Sequence, residues 1–298
     1  MNTMNKVHIW MDAEHERHHG DRIHPEHPRR IDAIRKRMAL WPPQSYVLHE
    51  RTDRIMKRVP STTASWSFLD DGDTYVTPFT SELLDRGKLM IEEAVDLLAD
   101  GLADGLADGK VSSAFVCIRP PGHHMGSSGP SGFCHQNNAW LAAKEFYKRR
   151  IRHCTIFDFD AHHGDGTEDC VKRGGLRGIK FCSTHAFGIS IYPGTGDRTG
   201  NSDTILNIPL SKGFKGSDYE AVLETEVIPF LSDSEVIIVS AGYDGHEEDP
   251  MGLLQFQDST YGKIGSVLRG LGKPILYLLE GGYEPTVLAR CVERTLDL

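Results

Sequence analysis

CTIFDFDAHHGDG, residues 154–166, decides the fold. A short apolar, β-branched run passes without a break into a stretch dense in carboxylates and imidazoles. A buried strand that ends this way fits an open α/β sheet, where ligands gather beyond the carboxyl ends of the strands. Outward from it, strands are predicted at VHIWMD from Val7, AFVCI from Ala114, IKFCST from Ile179, TILNI from Thr204, VIIVSAGYD from Val236 and ILYLLE from Ile275. Three of these seven are nearly continuous apolar runs, as expected for strands covered on both faces. Between them lie helical patterns. PRRIDAIRKRMAL puts Ile31, Ile34 and Met38 on one face. SELLDRGKLMIEEAVDLL offers a stripe of Leu84, Leu89, Ile91, Val95 and Leu98. Further helices are predicted over 137–149, 218–231, 257–269 and 285–296. Strand–helix alternation with right-handed crossovers predicts an open, mostly parallel sheet with helices on both faces, in one domain over 1–298.

Composition narrows the function. The 298 residues carry 33 Lys plus Arg against 42 Asp plus Glu, a net charge of −9, which argues against direct nucleic-acid binding and admits cationic substrates. No apolar run reaches the length of a membrane span, and MNTMNKVHIWMD has no signal-peptide layout. The expected location is the cytoplasm, or the nucleus if the source is a eukaryote. The six cysteines include no C-x-x-C pair, so a zinc ribbon or dithiol redox motif is disfavoured and free buried thiols are expected. ADGLADGLADG, from Ala99 to Gly109, reads as a loop or frayed helix end, and YKRRIRH, at 147–153, as a solvated helix end. DDGDTY, from Asp70, reads as a solvated loop or a contact for substrate, outside the site proper.

Four predicted strand ends carry chemistry. Asp158 and Asp160, two apart on a strand, are expected to face the same side before the chain turns through His162. Carboxylate and imidazole suit a borderline divalent ion, and Asp244, after VIIVSAGY, would complete three protein ligands. His123 and His124 follow Pro-Pro-Gly and are placed for acid and base duty near neutral pH. Tyr283, after Gly-Gly, offers a hydroxyl to a developing oxyanion.

Taken in order, HPEHPRR (24–30), RPPGHH (119–124), GFCHQNNA (132–139), DFDAHHGDG (158–166), YPGTGD (192–197), SAGYDGHEEDPMG (240–252) and LEGGY (279–283) resemble the zinc-dependent histone deacetylase family and its acetylpolyamine amidohydrolase relatives. LEGGY and SAGYD are closer to the class II branch. The resemblance implies an arginase/deacetylase-like fold. It implies Zn²⁺, with Fe²⁺ as the alternative ion, on Asp160, His162 and Asp244. His123 and His124 would be paired with Asp158 and Asp165 respectively, and Tyr283 would polarise the acetyl carbonyl. Gly132, Phe133 and Tyr192 would line a narrow tunnel, and Arg30 would lie near an inner cavity that passes acetate. A structural K⁺ would use Asp158 and Asp160 with Ser183 and backbone oxygens near His162 and Thr184. The implied substrates are acetyl-lysine in proteins or, as the alternative, acetylated polyamines and other small N-acyl amines.

Two rivals differ in kind. A binuclear manganese enzyme of arginase type wants a D-x-H-x-D run and a D-x-D pair; here the second run is Asp244-Gly-His246, and Tyr283 and the His pair would have no task. A silent acyl-lysine reader would have lost Tyr283, a His of the pair or a ligand, and none is missing. The sequence leaves oligomeric state open.

Overall fold

The computed structural model describes residues 6–20, 23–53, 67–69, 71–103 and 113–298. The elements run β1 (Val7–Asp12), α1 (Arg29–Met38), β2 (Tyr46–Arg51), β3 (Ser67–Phe68), β4 (Tyr75–Val76), α2 (Thr80–Ala103), β5 (Ser113–Val116), α3 (Asn138–Lys148), β6 (Cys154–Asp158), α4 (Asp165–Arg173), β7 (Ile179–Ala186) and β8 (Ile205–Leu210). There follow α5 (Gly216–Val222), continued through a π turn into α6 (Ile228–Leu231), then β9 (Val236–Ala241), α7 (Asp258–Gly270), β10 (Ile275–Leu279) and α8 (Pro285–Leu296).

Eight strands form one sheet in the order β2-β1-β5-β10-β9-β6-β7-β8, every pairing parallel. Period-two alternation divides the sheet between two cores. In β10, Ile275, Tyr277 and Leu279 face the core built with α1, α5–α6, α7 and α8. Leu276 and Leu278 face the opposite core, with α2, α3 and Met90, Ile91, Val95, Leu98, Trp140 and Phe146. The helices therefore cover both faces, and the loops after β5, β6, β9 and β10 meet at one edge.

Several expectations change in detail. β2 lies outside the predicted strands because YVLHER is half exposed and lacks an apolar run. The polar nine-residue α4, beginning at Asp165, likewise lies outside the predicted helices. In α2 the buried stripe is Leu83, Met90, Ile91, Val95 and Leu98, whereas Leu84 is only partly covered and Leu89 is 43% exposed. Leu89 lies one helical step, ~100°, outside the buried stripe. β6 ends at Asp158, so Asp160 sits in the following turn, where its N–H donates to Asp158 Oδ1 (3.1 Å). α2 runs to Ala103; the remainder of the Ala99–Gly109 repeat, Asp70 of DDGDTY and residues 1–5 lie outside the described residues. All six cysteines are free and five are buried, Cys170 being partly exposed. Among the described residues no helix is long and apolar enough to cross a membrane.

Candidate active site

The loop after β6 supplies the centre. Asp160, His162 and Asp244 each bring one donor atom to within 4.8 Å of the others. His162 Nδ1 lies 2.8 Å from Asp244 Oδ2 and 3.1 Å from Asp160 Oδ1. Asp244 Oδ2 is buried, and no hydrogen bond of acceptable angle reaches it. Two converging carboxylates, an imidazole and an orphaned buried oxygen fit a divalent ion of the zinc class, since bare carboxylates so close would repel one another. The backbone makes room for this arrangement. Gly281 N–H donates to Asp160 Oδ2 at 2.8 Å, and a Cβ on Gly281 would come within 2.5 Å of that oxygen and 2.7 Å of Asp244. Only glycine tolerates that approach.

Both histidines are held by carboxylates. His123 Nδ1 is 3.0 Å from Asp158 Oδ2, and His124 Nδ1 is 2.7 Å from Asp165 Oδ1. The structure thus brings together both pairs that the family resemblance implied. Their environments differ. Burial pulls His123 down, but the carboxylates of Asp160 and Asp158 outweigh it and hold the imidazole well above its ordinary range. Burial, reinforced by the neighbouring His123 charge, pushes His124 down to about 3 despite Asp165. One ring of the pair is biased towards the cation and the other towards the free base. Burial and the carboxylates of Asp244 and Asp160 raise the Tyr283 phenol well above its usual value, so it remains a donor.

The wall residues flank this centre. The Tyr192 ring packs edge-on against His124 at 4.9 Å between centroids and is 47% exposed. Gly132 sits between them: a Cβ there would meet His124 Cδ2 at 2.5 Å and the Tyr192 hydroxyl at 3.0 Å. Phe133 stands edge-on to Tyr283 (5.8 Å) and His24 (4.8 Å), with a left-handed φ of 70°. That backbone is pinned because Phe133 N–H donates to Thr74 Oγ1 at 3.0 Å, and Asp71 accepts from Gly132 and Thr74. Asp71 and Thr74 of DDGDTY therefore brace the wall instead of belonging only to a solvated loop.

Arg30 is buried beneath Tyr283, its guanidinium 5.0 Å from the ring centroid. It donates to Gly282 O (2.6 Å) and to Glu280 O. Ser183 is paired in register with Asp158 and is buried, its hydroxyl 2.8 Å from His185 Nδ1. The Thr184 hydroxyl meets the Tyr219 hydroxyl at 2.5 Å, so its side chain is turned to another partner.

Sequence reasoning passed over several supports. Glu26, within HPEHPRR, accepts Arg119 Nε (2.5 Å) and Nη2 (2.8 Å) and the Tyr75 hydroxyl (2.8 Å), all buried. Burial alone would push its carboxyl up; Arg119 reverses this and holds it far below the usual range. Glu280 Oε2 accepts Gly122 N–H (2.7 Å) and His123 N–H (3.2 Å), fixing the loop that carries the His pair, and burial raises its carboxyl to about 7. Asn137 caps α3 by accepting Trp140 N–H and donates to Met125 O at 3.0 Å. His163 bridges Thr195 (2.8 Å) and Glu168 (2.9 Å), tying the metal-competent loop to YPGTGD. The motifs of Glu26 and Glu280 were visible, but their partners Arg119 and Gly122 lie far away in the chain.

An open parallel sheet with a metal-competent cluster and two carboxylate-paired imidazoles at its strand ends defines a hydrolytic α/β enzyme. The chain belongs to the histone deacetylase family: the model of the histone deacetylase domain matches residues 21–298. This places it among the deacetylase hydrolases, a family that is generally zinc-dependent. It is 37% identical to Histone deacetylase 14, chloroplastic, of Arabidopsis thaliana over 60% of this chain and 44% of that protein. It is 30% identical to acetylpolyamine amidohydrolase of Mycoplana ramosa over 72% of this chain and 62% of that one. The chain thus spans less than two thirds of either relative. The crystal structure of the HDA15 HD domain superposes with a TM-score of 0.82 at 25% identity, covering 98% of this chain and 88% of that one.

Proposed function

We propose that this chain is a metal-dependent amidohydrolase that removes acetyl groups from Nε-acetyl-lysine in proteins. The observation that carries the reading is the grouping of His123–Asp158 and His124–Asp165 beside Asp160, His162 and Asp244. Asp160, His162 and Asp244 would hold one ion, Zn²⁺ or alternatively Fe²⁺. When bound, that ion supplies Lewis acidity and lowers the pKa of water.

The chain's residues do the rest. Asp165 fixes the tautomer of His124, so that its Nε2 accepts the proton of the attacking water. A protonated imidazole of the pair, for which His123 carries the cationic bias, delivers a proton to the leaving amine nitrogen. The Tyr283 hydroxyl donates to the developing oxyanion, a contribution worth roughly 3–4 kcal/mol for one such donor. Gly132, Phe133 and Tyr192 flank the methylenes of the acyl-lysine and exclude water, and Arg30 closes the floor where acetate would leave. Asp158, Asp160 and Ser183, with backbone oxygens near His162 and Thr184, form the proposed K⁺ site.

A second reading, acetylated polyamines or other small N-acyl amines, draws on the Mycoplana relative. The arginase-type reading loses support because His246 is engaged elsewhere, with Nε2 3.1 Å from Asp258 and Nδ1 accepting Glu248 N–H. The test is a parallel assay of an acetyl-lysine peptide, acetylputrescine and acetylspermidine. The proposal expects the peptide to have the highest kcat/KM; a preference for either polyamine would overturn the protein-substrate assignment.

A further inference from the structure

One buried carboxylate beside the centre has no task in this reaction. Asp249, in the turn after β9, is 5% exposed. Its Oδ2 accepts the backbone N–H of Tyr283 at 2.6 Å and of Glu284 at 3.3 Å. Its Oδ1 accepts Met251 N–H at 3.0 Å, and its own N–H donates to His246 O at 2.9 Å. Asp249 therefore fastens the segment that carries Tyr283 to the loop that carries Asp244.

The fastening matters because of what precedes it. Tyr283 follows Gly281 and Gly282, and Gly282 has a left-handed φ of 109°. Two successive glycines leave the backbone loosely specified, so external contacts must define where the phenol points. Gly281 is fixed by Asp160 and Tyr243, Gly282 O by Arg30 at 2.6 Å, and Asp249 holds the N–H of Tyr283 itself. A plain helix-capping role does not account for this geometry. Glu284 already caps α8 with its own side chain, accepting Thr286 N–H at 3.2 Å, and the shorter Asp249 bond goes to Tyr283.

We propose that Asp249 is the positioning residue of Tyr283, its carboxylate fixing the backbone at the end of the glycine hinge and so the place of the phenol over the metal-competent cluster. The proposal rests on the reading of Tyr283 as oxyanion donor. Leverage makes it consequential. A rotation of about 10° at the hinge displaces the phenol oxygen by about 1 Å, a misplacement that can cost ~10²-fold in rate.

The experiment is a double-mutant cycle on full-length, metal-loaded protein, with rates expressed per folded, metal-bound chain. Asp249→Asn keeps the shape but turns an amide N–H₂ towards backbone donors. In the otherwise native protein it is expected to lower kcat roughly 30-fold or more, with KM changed less than about two-fold. In the Tyr283→Phe background the same change should cost less than about three-fold, because the group it positions is gone. Equal losses in both backgrounds would overturn the proposal, as a merely structural role predicts them. Near-native turnover of Tyr283→Phe alone would instead overturn the oxyanion-donor reading, and the positioning role with it. If Asp249→Asn does not accumulate folded, Asp249→Ser, which retains one acceptor, goes through the same cycle with the same criteria.

Discussion

Replacing Phe133 by alanine and, separately, by glycine divides its backbone role from its side-chain role. Phe133 has φ 70°, a conformation that costs an L-residue about 1–2 kcal/mol and glycine almost nothing. Alanine keeps that strain while deleting the ring. Glycine relieves it but adds unfolded-state entropy worth about 0.4–1 kcal/mol. The Gly variant should therefore be the more stable of the two by roughly 0.5–1 kcal/mol. The ring is only partly buried and touches His24 and Tyr283 edge-on. Its loss should cost about half of the ~3–5 kcal/mol typical of a buried Phe deletion. Urea unfolding reads both differences. Hydroxamate binding and acetyl-lysine turnover, per folded molecule, should fall roughly ten-fold or more in both variants if the ring walls the tunnel. Unchanged affinity and turnover, or a stability loss beyond ~4 kcal/mol in both variants, would show that Phe133 is a core residue.

Further outcomes follow from the same contacts. Glu26→Gln leaves Arg119 buried beside a neutral partner and should destabilise by roughly 3–5 kcal/mol, measured by denaturant unfolding. Because Arg119 depresses the folded-state pKa of Glu26, its stabilisation is complete above the unfolded-state value of 4.5 and is lost as pH falls below it; the Gln variant should show a flatter acid limb. His124→Ala and Tyr283→Phe should each lower kcat at least ~10²-fold while the protein stays folded and metal-bound, and near-native turnover in both would refute their roles. Leu89→Gln, on the exposed side of α2, should shift stability by less than ~0.5 kcal/mol, against roughly 2–5 for Leu98→Ala in the core.

What the residues alone made legible had its partners near in the chain or its burial written as an apolar run; the distant pairs His123–Asp158 and His124–Asp165 came only from the family resemblance. Central strands such as VIIVSA and ILYLL were visible because burial on both faces demands unbroken apolar runs. β2, at the sheet edge, had no such demand on it. α4 was hidden because DGTEDCVKR buries little and opens inside the catalytic run. In the site, Asp158, Asp160 and His162 were legible because one strand end carries all three. Glu26 and Asp249 were not: one acts on Arg119 across 93 residues, the other through backbone N–H groups 34 residues away. No side-chain pattern announces a carboxylate whose partner is main chain.

The central claim is that one ion on Asp160, His162 and Asp244 serves the paired histidines in cleaving an acetamide. The most direct test is acetate release from an acetyl-lysine peptide, measured on chelated protein as Zn²⁺ is returned stepwise. Activity should vanish on chelation and return in full at one equivalent per chain, with Asp244→Asn failing to recover. Undiminished turnover after chelation, or recovery that requires two equivalents, would contradict the account.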